Sequence, residues 1–192
     1  MDFALDEAQQ AVADLADQIL ADRLDMELLL GIEERGAWFD ADLWASLATA
    51  GLLGITLGED VGGSGLDAVA LAILLRAQGN HVAPLPLLPH GIASLAVERF
   101  GSGEQRRHLL PGCADGSIVL TVAVQEYLDD RTREPAVRVA EGGLHGTKIV
   151  VEAADLAGHA VVTAVGEDGP GLFLVDLSAN GITRTEGRST RL

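Results

Sequence analysis

Apolar positions in the first part of the chain recur every three to four residues, and later they alternate with polar ones. Asp6, with Gln9 three residues on, has the form of a capping box and opens a helix with Val12, Leu15 and Ile19 on one face. Asp40 is placed to cap a second helix carrying Leu43, Leu47 and Ala50, which stops at Gly51. After the turn "LGEDVGGSG", residues 66–78 read as an almost wholly apolar helix. Its Val69, Ile73, Leu74 and Ala77 predict burial on several sides, and Gly79 ends it. The prolines of "HVAPLPLLP" exclude a continuous helix. A helix through "GIASLAVERF" follows, and Ser102 with Gln105 opens a short one that ends near Pro111.

From Ser117 onward the pattern changes. "SIVLTVAVQ" is β-branched and strand-like, and "AVRVAEGGLHGTKIVV" alternates around Gly142 and Gly143 as a hairpin would. "HAVVTAVG", "GLFLVDL" and "GITRTEG" continue the strand series, with turns around Pro170 and Asn180. Within "GTKIVVEAAD", period 2 puts Ile149, Val151 and Ala153 on one face of a strand and Lys148, Val150 and Glu152 on the other. The expected class is α+β, with an all-α domain over residues 1–115 and a β domain over residues 116–192.

Composition narrows the function classes. Hydrophobic residues at 48% and a mean hydropathy of +0.25 exclude a disordered chain, and aromatics at 4% predict an aliphatic core. A net charge of −16 argues against nucleic acid, because nothing offsets phosphate repulsion. Arg106-Arg107 reads as a solvated helix face and Asp129-Asp130 as a surface turn. Lys148 is the only lysine, against twelve arginines. Cys113 is alone, so no internal disulfide forms, which fits a reducing compartment; no activating neighbour stands near it in sequence. His81, His90, His108, His145 and His159 show no metal-ligand spacing. The start lacks the pattern of a signal peptide, and no apolar run reaches the ~18 residues of a membrane span. A cytoplasmic protein is expected.

Four stretches, in this order, carry a resemblance to a known family. They are "LWASLATAGLLGITLGEDVGGSGLDAVALAILLRAQG", "FGSGEQRRHLLPGCADGSI", "GGLHGTKIVVEAADLAGHAVVTA" and "GPGLFLVDLSANGIT". Together they resemble the N-terminal helical and middle β domains of the acyl-CoA dehydrogenases. The resemblance implies that the β domain is a barrel and that a C-terminal helical bundle is absent from these 192 residues, whose last stretch, "EGRSTRL", ends without a closing element.

The same resemblance implies a chemistry, α,β-dehydrogenation of an acyl-CoA thioester with FAD as hydride acceptor. It assigns no catalytic base here, since the family's glutamate base lies in the C-terminal domain. The cofactor-side positions are Val124, Gln125 and Glu126 on the first β strand, and Val150, Val151 and Glu152 after "GTK". Family members usually place an aromatic and a hydroxyl residue where Val150 and Glu152 stand, and a threonine where Gln125 stands. The loop "YLDDRTREP" has no glycine to let its backbone approach phosphate. The expected wall therefore matches a flavin site in position but not in chemistry. The resemblance extends to the flavin-poor subunit of a heteromeric actinobacterial enzyme. It implies a homo- or hetero-oligomer, the latter with a second acyl-CoA dehydrogenase subunit, and electron transfer to electron-transfer flavoprotein. An ordinary flavin homotetramer is a further reading. A non-catalytic acyl-CoA-binding or scaffolding protein on the same fold is the alternative.

Overall fold

The computed structural model describes residues 4–34, 38–127 and 134–187. They fall into two compact units, one reaching Ser117 and the other beginning at Ile118.

The first unit is helical, and local capping chemistry sets most of its boundaries. Helix α1 (Glu7–Arg23) opens on a complete capping box: the Asp6 carboxylate accepts from Gln9 N at 2.8 Å, and the Gln9 side chain accepts from Asp6 N at 3.2 Å. Its buried stripe is Val12, Ala13, Ala16 and Leu20 rather than the expected Val12, Leu15 and Ile19. Leu15 stays exposed. The small Ala13 and Ala16 let α1 lie close against α4 (Ala68–His81), so that packing decided the face. Helix α2 (Met26–Glu34) has no counterpart among the elements expected from the sequence. Helix α3 (Ala41–Thr49) is capped by Asp40, which accepts from Leu43 N at 2.9 Å, and it leads into Gly51 at φ 74°. Its Trp44 indole donates to the Gly116 carbonyl at 2.9 Å.

Helix α4 runs past Gly79 to His81, three residues beyond the expected end at Gln78. A glycine inside a helix costs only about 1 kcal/mol. Against that, the Gln78 side chain donates to the carbonyls of Ala83 and Leu85 and binds the exit of the helix. Val69 is exposed, so this helix is not buried all round. Helix α5 (Leu87–Phe100) begins after the proline-rich stretch. Helix α6 (Gly103–Ala114) opens on the expected Ser102–Gln105 capping box but continues through Pro111. Burial of Leu109, Leu110, Cys113 and Ala114 offsets the missing proline donor. Arg106, expected on a solvated face, is half-buried and paired to Glu98 at 2.9 Å.

The second unit is a five-stranded sheet. Strand β1 (Leu120–Ala123) lies parallel to β4 (His159–Gly166), pairing Leu120 with His159 through Ala123 with Val162. Strand β5 (Gly169–Asp176) runs antiparallel to β4 along its full length. Strands β2 (Arg138–Ala140) and β3 (Gly143–His145) form the expected hairpin, and β2 joins β4 through the single pair Arg138–Val165. The hairpin turn is Glu141-Gly142, at φ 50° and 77°, one residue earlier than expected.

Among the described residues the sheet is open, so the expected barrel is not formed. Strands β2 and β3 are too short to carry the sheet round, and "GITRTEG" adds no strand. That last segment has no apolar alternation to bury, and Arg184 instead ties it to the carbonyls of Ala154 and Leu177. One face of the sheet packs Ala123, Ala160 and Val162 against Leu144, Val151, Val175 and Leu177.

Candidate functional site

Residues 147–151, expected as a strand, are irregular and lead into a turn over 152–156. Val150 and Ala153 take left-handed backbone angles, φ 52° and 56°, and each such residue breaks the two-residue alternation of side chains. Val151 and Ala153 still turn inward, as the pattern predicts. Lys148, Val150 and Glu152 do not share a face: Lys148 is buried, while Val150 and Glu152 are exposed. Ile149 N donates to the Gln125 carbonyl at 3.0 Å, and the Thr121 hydroxyl donates to the Glu152 carbonyl at 2.5 Å. These two bonds hold the segment beside the end of β1.

The centre of this region is a buried ion pair. Lys148 Nζ lies 2.6 Å from Glu126 Oε1 and also donates to the Thr163 hydroxyl on β4 at 2.8 Å. Glu126 accepts two further bonds, from Ala136 N at 2.5 Å and Val137 N at 3.1 Å. Burial pushes the Glu126 carboxyl up, but the hydrogen bonds from Lys148, Ala136 and Val137, with the ammonium's charge, hold it below the ordinary glutamate range. Glu126 is therefore an ionised structural acceptor at neutral pH. With every strong donor around it engaged, it is not poised to take a proton from a substrate.

Comparison with known proteins decides the family. Residues 6–117 match the description "Acyl-CoA dehydrogenase, N-terminal domain". The chain belongs to the acyl-CoA dehydrogenase family. It is similar along its whole length to acyl-CoA dehydrogenase FadE27 of Mycobacterium tuberculosis, at 31% identity over 52% of that protein. Among solved structures, a variant of the Tcur3481-Tcur3483 steroid ACAD superposes with a TM-score of 0.85 and 45% identity, over 91% of this chain and 49% of that one. A chain of the ChsE4-ChsE5 complex from Mycobacterium tuberculosis superposes with a TM-score of 0.87 and 29% identity, over 96% of this chain and 51% of that one. The chain thus spans about half the length of these relatives.

Seen as part of an acyl-CoA dehydrogenase, the site residues separate into those brought together and those not. The structure brings the stretches 124–126 and 148–152 side by side. Val124 is half-buried, Gln125 is exposed and engaged through its carbonyl, and Glu126 is buried in the ion pair. Val151 belongs to the apolar core of the sheet. Residues 128–133, which include the acidic loop positions Asp129 and Asp130, lie outside the described residues.

Among the described residues, the side chains at these positions do not fit FAD. Glu126 and Lys148 spend their charges on one another, Glu152 presents a carboxylate rather than a hydroxyl, and Val150 offers an exposed aliphatic side chain. Thr163, Ala136 and Val137 were not among the residues read from the sequence, because their roles arise only when β4 and the residues before β2 meet Glu126. The sequence offers one usable signal, the singular Lys148, which by itself names none of these partners.

The helical unit holds a second buried polar group. His90 donates from Nε2 to the Cys113 carbonyl at 3.2 Å and meets the Trp44 ring edge-on, with centroids 5.0 Å apart. Burial pushes His90 down to about 4 against the raising effect of that bond. Burial pushes the Cys113 thiol up to about 12. His90 thus meets the backbone of Cys113 and stays neutral at pH 7, as does the thiol, so the two form no reactive pair.

Proposed function

We propose that this chain is part of the flavin-poor subunit of a heteromeric acyl-CoA dehydrogenase. Paired with a second, flavin-holding subunit, it serves the α,β-dehydrogenation of an acyl-CoA thioester. FAD sits on the partner, and electrons leave to electron-transfer flavoprotein. The observation that carries this reading is the exposed aliphatic Val150 and the exposed carboxylate of Glu152, where the resemblance would place an aromatic and a hydroxyl residue beside the cofactor. The similarity to chains of Tcur3481-Tcur3483 and of the ChsE4-ChsE5 complex, each named for two components, supports the partner dependence. The steroid named for the first of these makes a steroid acyl thioester the substrate to try first.

The test is reconstitution. The complete subunit is expressed alone and together with candidate flavin-holding acyl-CoA dehydrogenase subunits, and each preparation is assayed for acyl-CoA oxidation with an artificial electron acceptor. Turnover is expected only from a co-purified pair. Turnover by the subunit alone would contradict the proposal, and a stable pair without turnover would favour a scaffolding role.

A further inference from the structure

Burying two opposite charges costs several kcal/mol of desolvation for each ion, and is repaid only where the remaining donors and acceptors are satisfied. The Lys148–Glu126 pair meets that condition with unusual reach. Glu126 Oε1 takes Lys148 and Val137 N, Oε2 takes Ala136 N, and the ammonium uses a further proton on Thr163. One network therefore joins the end of the β1 stretch, the residues entering β2, the 147–151 segment and β4. The bonds Ile149 N to Gln125 O and Val165 N to Val137 O run beside it. Removing either charge would loosen all four segments at once.

The residue type matters as well. A compact ammonium fits between one carboxylate oxygen and one hydroxyl, whereas a planar guanidinium needs a wider, forked acceptor. In a chain with twelve arginines, the one lysine stands at this point.

We infer that Lys148, Glu126 and Thr163 form a latch that holds the cofactor-side wall of this chain, residues 147–152, against β4 and the residues entering β2. Lys148 and Thr163 are positioning residues: they act through Glu126 on the backbone of residues 147–152. The inference takes the role of that wall from the reading above, but the latch itself does not depend on whether the chain holds flavin.

Lys148 carries the only ε-amine, so its reactivity reports the latch directly. Reductive methylation of the native chain, followed by peptide mass mapping, gives the modification rate at Lys148, and hydrogen exchange gives the opening of the Ile149, Ala136 and Val137 amides. Lys148 is expected to react far more slowly than in the urea-unfolded chain. Glu126→Gln and Thr163→Val are each expected to speed its modification by at least about tenfold, as loss of a buried ion's partner should. Thr163→Ser, which keeps the hydroxyl, should retain protection. Amide exchange should rise at those three positions in the first two variants and stay unchanged in α1 and α4. If Glu126→Gln does not fold, the two Thr163 variants carry the test. Modification of native Lys148 at the unfolded rate, or equal rates in Thr163→Val and Thr163→Ser, would overturn the latch. Flavin content, measured separately, would still decide the reading it rests on.

Discussion

The Lys148 ammonium and the Glu126 carboxylate, 22 residues apart in sequence, meet at 2.6 Å with their side chains 8% and 7% exposed. Lys148→Met should therefore destabilise the β unit by about 3 kcal/mol, the usual cost of leaving one member of a buried pair alone. Adding Glu126→Leu should not restore stability, because the amides of Ala136 and Val137 then lose their acceptor. Urea unfolding of both variants, followed by circular dichroism, checks this. Full recovery in the double variant would mean that the two amides find other partners.

Stability should have a plateau bounded by His90 and Cys113. An unfolded chain protonates His90 below its ordinary 6.5, whereas the native ring, held down to about 4, does not. Stability falls as pH drops through that window, by roughly 3 kcal/mol, and this group adds no further loss below it. At the alkaline end, the unfolded thiol ionises above 9.0 while native Cys113 waits until about 12, so stability falls again there. Glu126, held low in the native state, contributes stability that is present above its ordinary 4.5 and lost as pH falls through its native value. Urea midpoints at pH 7 and pH 5 should differ for the wild type and converge for His90→Gln. An unchanged pH dependence in that variant would remove His90 from the account.

Val150→Gly and Val82→Gly should each stabilise the chain by about 1 kcal/mol. Both valines are β-branched and exposed at φ 52°, a conformation that costs an L-residue roughly that much and a glycine almost nothing. Lower urea midpoints in both variants would show that their side chains make contacts worth more than the strain.

Gly63→Ala should destabilise the helical unit by roughly 3 kcal/mol, as overpacking against rigid backbone does. A Cβ there would sit 2.1 Å from the Leu57 carbonyl oxygen and 2.6 Å from that of Gly54, inside a turn closed by Gly65 N to Leu57 O and Ser64 N to Gly54 O. Thermal unfolding of the variant checks it, and a wild-type melting temperature would mean that the turn relaxes.

What was legible in the sequence was local. The capping boxes at Asp6–Gln9 and Ser102–Gln105, the Asp40 cap and the β2–β3 hairpin rest on residues a few positions apart, and each formed, the hairpin with its turn one residue early. Misread features were those in which tertiary contacts override a local signal. Gly79 and Pro111 failed to stop their helices because Gln78 and the buried Leu109–Ala114 face held the chain helical. The stretch "GTKIVVEAAD" has strand alternation, yet its two left-handed residues leave no mark in residue type. The site was legible as two adjoining stretches. Its organising contact, between residues 126, 148 and 163, was not, because nothing in a local pattern pairs a strand-end glutamate with a lysine 22 residues away.

The flavin content of the isolated chain tests the central claim most directly. The protein is purified without its partner, incubated with excess FAD, desalted and denatured, and the released flavin is measured by absorbance against protein concentration. The account predicts a colourless protein that releases only a trace of flavin. One flavin released per chain would contradict it, and would mean that Val150, Glu152 and the charge-paired Lys148 and Glu126 are compatible with a working flavin site.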